Sequence, residues 1–164
     1  MSMVTEINGL KMLSVSPALT PREFKEFAAR FPAPIPPSFR TFYLTCNGGF
    51  PSEEETERSN WWLPVGGFNP IKHGNVTIET LIDDIGCLVS GTCHFPKHQY
   101  IPFAFDDGGH TIFLSLTRES IGKVFLFDED GGNLVKISES FDALFRRRLS
   151  ASEDSLSHRE QDPK

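Results

Sequence analysis

The stretch from Tyr100 to Asp130 constrains this chain more than any other. It reads Ile101-Pro-Phe-Ala-Phe105, then Ile112-Phe-Leu-Ser-Leu116, then Val124-Phe-Leu-Phe-Asp128. Each apolar run is closed by glycine or acidic residues, at Asp106-Asp-Gly-Gly109, at Thr117–Gly122 and at Asp128–Asn133. Apolar runs of this length between turn-forming residues predict consecutive strands of one sheet. Leu134–Ile137 predicts one more strand. No helix-length segment separates these runs, which excludes a doubly wound parallel fold.

Helical spacing lies on either side. Thr20-Pro-Arg-Glu23 forms a capping box with proline at the first helical position, followed by Phe24, Phe27, Ala28 and Phe31 on one face. Phe39, Phe42, Tyr43 and Cys46 make a second apolar stripe, which Asn47-Gly48-Gly49 terminates. Thr77 caps a short helix carrying Ile78, Leu81, Ile82 and Ile85. Ser138 or Ser140 caps a last one carrying Phe141, Leu144, Phe145 and Leu149. A further strand is expected over Trp61–Phe68. The predicted fold is a single-domain α+β protein, a mostly antiparallel sheet packed with N-terminal, central and C-terminal helices. Residues 1–19 are expected to be a loosely ordered lead-in, 20–149 the domain, and 150–164 a disordered polar tail.

Composition narrows the function. Fifteen Phe against two Tyr supply core without hydroxyls to satisfy. The net charge is −6, and residues 79–130 account for all of it, with nine acids against three bases. Such a surface disfavours direct binding of nucleic acid or anionic lipid and suits a basic protein partner. An odd cysteine count without metal spacing, the lack of a basic-then-apolar leader and the lack of a spanning apolar stretch together predict a cytoplasmic protein.

Four landmarks then occur in order. They are Ile35-Pro-Pro-Ser-Phe39 running to Asn47-Gly-Gly49, Ile101-Pro-Phe-Ala-Phe-Asp-Asp-Gly-Gly109, Gly122-Lys-Val-Phe-Leu-Phe-Asp128, and Ser140-Phe141 with Leu144-Phe145. Over residues 20–149 the chain resembles the SUKH superfamily, also called the Smi/Knr family. It departs at His110, where relatives often carry Asn, and at Phe127, where Trp or Tyr is common; the subfamily stays open. The resemblance implies a compact α+β domain without catalytic activity or cofactor. Bacterial relatives are mostly immunity proteins that neutralise secreted toxins, often nucleases. Eukaryotic relatives serve as regulatory scaffolds.

The residues expected to meet a basic toxin domain follow from charge. Glu53, Glu54, Glu55 and Glu57 fill a polar loop, Asp83 and Asp84 lie on the polar face of the third helix, and Asp106 and Asp107 occupy a turn. Asp128–Asp130 forms a second acidic turn. Because turns favour Asp for backbone reasons alone, charge there has two explanations. Trp61 and Trp62 would face opposite sides of a strand, one of them free to anchor a partner.

Other chemistries are poorly supported. Asp106, Asp107 and His110 offer an acid–base set only if they converge in a cleft. Cys87, Cys93, His94 and His98 have poor spacing for zinc, and Asp128–Gly131 lacks the ligand pattern of a calcium loop. Arg146, Arg147 and Arg148 fit the carbonyl end of a helix better than a nucleic-acid surface. Neither a nucleophile elbow nor a phosphate-binding glycine loop occurs.

Overall fold

The turn residues close the apolar runs as their chemistry requires. The computed structural model describes residues 5–7, 10–52, 65–84, 98–128 and 130–145. Strands β4 (Gly67–Phe68), β5 (Tyr100–Phe105), β6 (Thr111–Ser115), β7 (Val124–Asp128) and β8 (Asn133–Ser138) form an antiparallel sheet in sequential order. A smaller antiparallel sheet contains β1 (Thr5–Ile7), β2 (Leu10–Leu13) and β3 (Phe50–Pro51). Gly49 and Phe68 exchange backbone hydrogen bonds of 3.0 and 2.8 Å, which joins the two sheets.

Four helices accompany these strands among the described residues: α1 (Pro21–Ala28), α2 (Pro37–Thr45), α3 (Ile78–Asp84) and α4, which begins at 141 and is described through 145. The α1 capping box forms as expected. Thr20 Oγ1 accepts from the Glu23 N–H at 3.2 Å, and Glu23 Oε2 accepts from the Thr20 N–H at 2.9 Å. At α3 the reciprocal pair is Thr77 with Thr80. For α4 the cap is Ser140, whose Oγ accepts from the Ala143 N–H at 3.0 Å; Ser138 instead donates to the Ser140 carbonyl. None of these helices is long and apolar enough to cross a membrane.

Aromatic rings fill the space between helices and sheet. Phe42 of α2 contacts Phe68, Phe141 and Phe145 at centroid distances of 4.9, 5.5 and 5.5 Å. Phe39 meets Phe103 and Phe141 in edge-on geometry, which suits the ring quadrupole. Two landmark residues hold this core to the backbone. Tyr43 Oη donates to the carbonyls of Asn69 (2.9 Å) and Phe103 (3.2 Å). A register shift between Pro102 and Ala104 lets Phe103 also accept from the Asn69 N–H at 2.8 Å. Asn47, 1% exposed, acts as a two-sided clip. Its Nδ2 donates to the Pro17 and Ile71 carbonyls (3.0 and 2.9 Å), and its Oδ1 accepts from the Ile71 N–H at 2.8 Å.

Two expectations need correction. The lead-in is not loosely ordered throughout: β1 and β2 pair there and bury Ile7, Leu10 and Met12. Strands of three and four residues are too short to show a period. The strand expected over Trp61–Phe68 reduces, among the described residues, to Gly67–Phe68. Trp61 to Pro64, Ile85, the irregular stretch 87–97, Arg146–Arg148, Leu149 and the tail 150–164 lie outside the described residues.

Candidate functional site: an acidic corner at two hairpin turns

The β5–β6 turn begins with a carboxylate that folds back on its own loop. Gly109, at φ +82°, donates its N–H to the Asp106 carbonyl at 3.1 Å, and the Asp106 N–H reaches the His110 carbonyl at 3.0 Å. This is a tight turn followed by a left-handed glycine bulge, and Gly109 meets its backbone requirement. The Asp106 side chain is nearly buried, at 10% exposure. Its Oδ1 accepts from the His110 N–H at 2.7 Å, while Oδ2 lies 2.9 Å from His110 Nδ1. Hydrogen bonding to Asp106 and then its charge raise the His110 pKa, with Asp128 and Asp130 adding to the effect.

The β7–β8 turn arrives beside it. Asp128 Oδ1 accepts from the Asp130 N–H at 3.1 Å, and Gly132 takes φ +64° to complete the reversal into β8. His110, Asp128 and Asp130 each bring a ligand-type atom, all within 4.8 Å of one another. One imidazole thus stands among three carboxylates drawn from two hairpins. Asp107 projects into solvent nearby. A Cβ on Gly66 would lie 2.9 Å from Asp107 Oδ1, so the segment entering β4 passes tightly against this turn.

The geometry allows limited chemistry. A protonated imidazole can neutralise part of the carboxylate charge. His110, Asp128 and Asp130 also form a donor set of the type that takes a divalent cation. A nucleophilic relay needs a third member, and among the described residues no hydroxyl or thiol is hydrogen-bonded to His110. Cys46 is far from a reactive thiol. It is fully buried, donates to the Gly48 carbonyl at 3.2 Å, and burial pushes its pKa up to about 11.

The expected partner-binding residues separate into three groups. Asp106 and Asp107 fall in this corner, although Asp106 is turned largely inward. Asp83 and Asp84 are exposed at the end of α3, and among the described residues no side-chain hydrogen bond or ion pair joins them to the corner. Glu53, Glu54, Glu55, Glu57, Trp61 and Trp62 lie outside the described residues. Asp128 and Asp130 belong with His110, a grouping that sequence distance conceals. Of the Cys87, Cys93, His94 and His98 set only His98 is described, half-buried at φ +66°.

The arrangement defines an α+β meander domain with aromatic helices against the sheet and charge collected at hairpin turns. The chain belongs to the SMI1 / KNR4 family (SUKH-1), whose model matches residues 18–147. A search of curated proteins found no significant match. Strands β1 and β2 precede the matched residues.

Proposed function

We propose that this protein is a cytoplasmic immunity protein that binds a secreted bacterial toxin and occludes its active site, with a nuclease as the favoured toxin class. Binding is the whole activity in this reading, and no side chain is given a catalytic role. The observation that carries it is the convergence of Asp106, Asp107, Asp128 and Asp130 from two turns onto one end of the sheet, with a single imidazole among them. A nuclease holds its substrate in a basic groove, and a compact acidic corner is complementary to such a groove. Membership of a family rich in immunity proteins supports the same conclusion.

Glu53–Glu57 and the two tryptophans extend the surface in this proposal. One of the two tryptophans supplies, in this reading, the apolar anchor that charge alone lacks. Asp83 and Asp84 add to the long-range field.

The test is co-purification of the full chain with the toxin domain encoded by the adjacent gene, at about 50 mM and about 500 mM salt, where the Debye length shrinks severalfold. A one-to-one complex that weakens with salt, and rescue of cells expressing the toxin, is the expected result. Absence of binding at the lower salt overturns the proposal and leaves a regulatory scaffold as the leading reading.

A further inference from the structure

The acidic chain has a cationic groove elsewhere. Between α1 and the segment that leads into α2 lies a groove of about 710 Å³, lined by Pro21, Arg22, Lys25, Ala28, Pro34, Ile35 and Arg40 above the buried Phe24. Its volume is in the range of pockets that hold a ligand or a peptide anchor. Pro21, Arg22, Lys25 and Ala28 form one stripe along α1, and Arg40 faces them from α2.

The acids of α1 are already engaged. Glu23 accepts from the Thr20 N–H at 2.9 Å and pairs with Lys72 (2.9 Å) and His73 (3.2 Å). Glu26 pairs with Arg22 at 3.3 Å. Lys25 and Arg40 are exposed and have no carboxylate partner among the described residues. Helix electrostatics explain Lys25, which stands in the last turn of α1. They do not explain Arg40, in the body of α2 beside an apolar floor.

The proline walls decide how a ligand is held. Pro21 and Pro34 offer no backbone N–H, so this groove does not add a strand to the fold. Recognition rests on side-chain charge at the rim and apolar contact with Ala28 and Ile35. The prolines also make the walls stiff, which reduces the ordering cost of binding.

We infer that this groove docks a short acidic segment of a partner protein, with carboxylates on Lys25 and Arg40 and one aliphatic or aromatic side chain on the floor. The site uses none of the acidic-corner residues. It gives the domain a second binding surface of opposite sign.

The test uses the full chain and a fluorescein-labelled peptide of glutamates around one Phe and one Leu, read by fluorescence anisotropy. A matched peptide with Lys for Glu and a labelled oligothymidylate serve as comparisons. The glutamate peptide is expected to bind, more weakly as salt rises, and K25E/R40E is expected to lower affinity by about tenfold or more. Both residues are exposed, so circular dichroism of K25E/R40E should match the parent, and melting should fall only slightly because the acid replaces a cation in the last turn of α1. D128N/D130N should leave this binding unchanged. The inference is overturned if the glutamate peptide does not bind at low salt, if K25E/R40E binds it equally, or if D128N/D130N changes its binding. Tighter binding of the oligothymidylate than of the peptide also overturns it, in favour of a nucleic-acid site.

Discussion

The Asn47 clip and the acidic corner are both polar and both sit at turns, yet they face opposite demands. Asn47 is buried, and each of its side-chain polar atoms finds a backbone partner in Pro17 or Ile71. The corner leaves His110 and Asp128 half-buried and Asp107 and Asp130 exposed, with more carboxylates than cations to balance them. A satisfied buried network specifies the fold, because its loss strands donors and acceptors away from water. An exposed excess of one charge adds little to folding and costs some self-repulsion. The contrast separates residues that hold the fold from residues whose charge the fold does not use.

The largest effect should come from the apolar side of the first region. Phe42 is 1% exposed and touches rings from α2, β4 and α4. Phe42→Ala is expected to destabilise by about 3–5 kcal/mol in denaturant unfolding, the range for a large aromatic removed from a core. Asn47→Ala should follow at about 2 kcal/mol, since it leaves the Ile71 N–H without its acceptor and takes one of two donors from the Ile71 carbonyl, which keeps the His73 N–H. A loss below about 1 kcal/mol there would place water on those groups and weaken the contrast with the corner. Tyr43→Phe removes one hydroxyl that serves two carbonyls, and about 1–2 kcal/mol is expected. Phe103 keeps its bond from the Asn69 N–H in that variant, which limits the damage.

Two smaller predictions concern protons. The Thr20 backbone bond, followed by the hydrogen bond from Lys72, lowers the Glu23 pKa to about 2 from an ordinary 4.5. A depressed carboxylate contributes stability that is complete above the ordinary value and is lost as pH falls through the folded one. Acid unfolding between about pH 4.5 and pH 2 should therefore be shallower in Glu23→Gln. His110 behaves in the opposite sense. Its raised pKa, due first to the Asp106 hydrogen bond, gives stability that is present at acid pH and lost as pH rises through the folded value. A proton NMR titration of His110 should show a value above 6.5, and Asp106→Asn should bring it down.

Much of the first region was readable from local pattern. The capping box at Thr20 and Glu23, the helical spacing of Phe39, Phe42 and Tyr43, and the apolar runs of the strands from Ile101 to Ile137, each closed by turn residues, are all contiguous in sequence. Asn47-Gly-Gly49 signals a helix end, and Gly48 and Gly49 take positive φ. The side-chain clip to Ile71 was not readable, because it spans 24 residues and uses an ordinary asparagine. β1 and β2, at three and four residues, are too short to carry a local pattern. At the corner each acidic turn was visible alone. What no local pattern carries is that adjacent hairpins β5–β6 and β7–β8 end side by side and bring Asp128 and Asp130 to His110.

The contrast is tested most directly by D107N/D128N/D130N, measured once for unfolding free energy and once for association rate with the toxin domain that the proposed function calls for. Asparagine keeps the size of each side chain and can still accept the Asp130-position N–H at residue 128. Stability within about 0.5 kcal/mol of the parent is expected, with an association rate lower by about tenfold or more at low salt. A stability loss above about 2 kcal/mol, with an unchanged association rate, would contradict it and make the corner a structural element like the Asn47 clip.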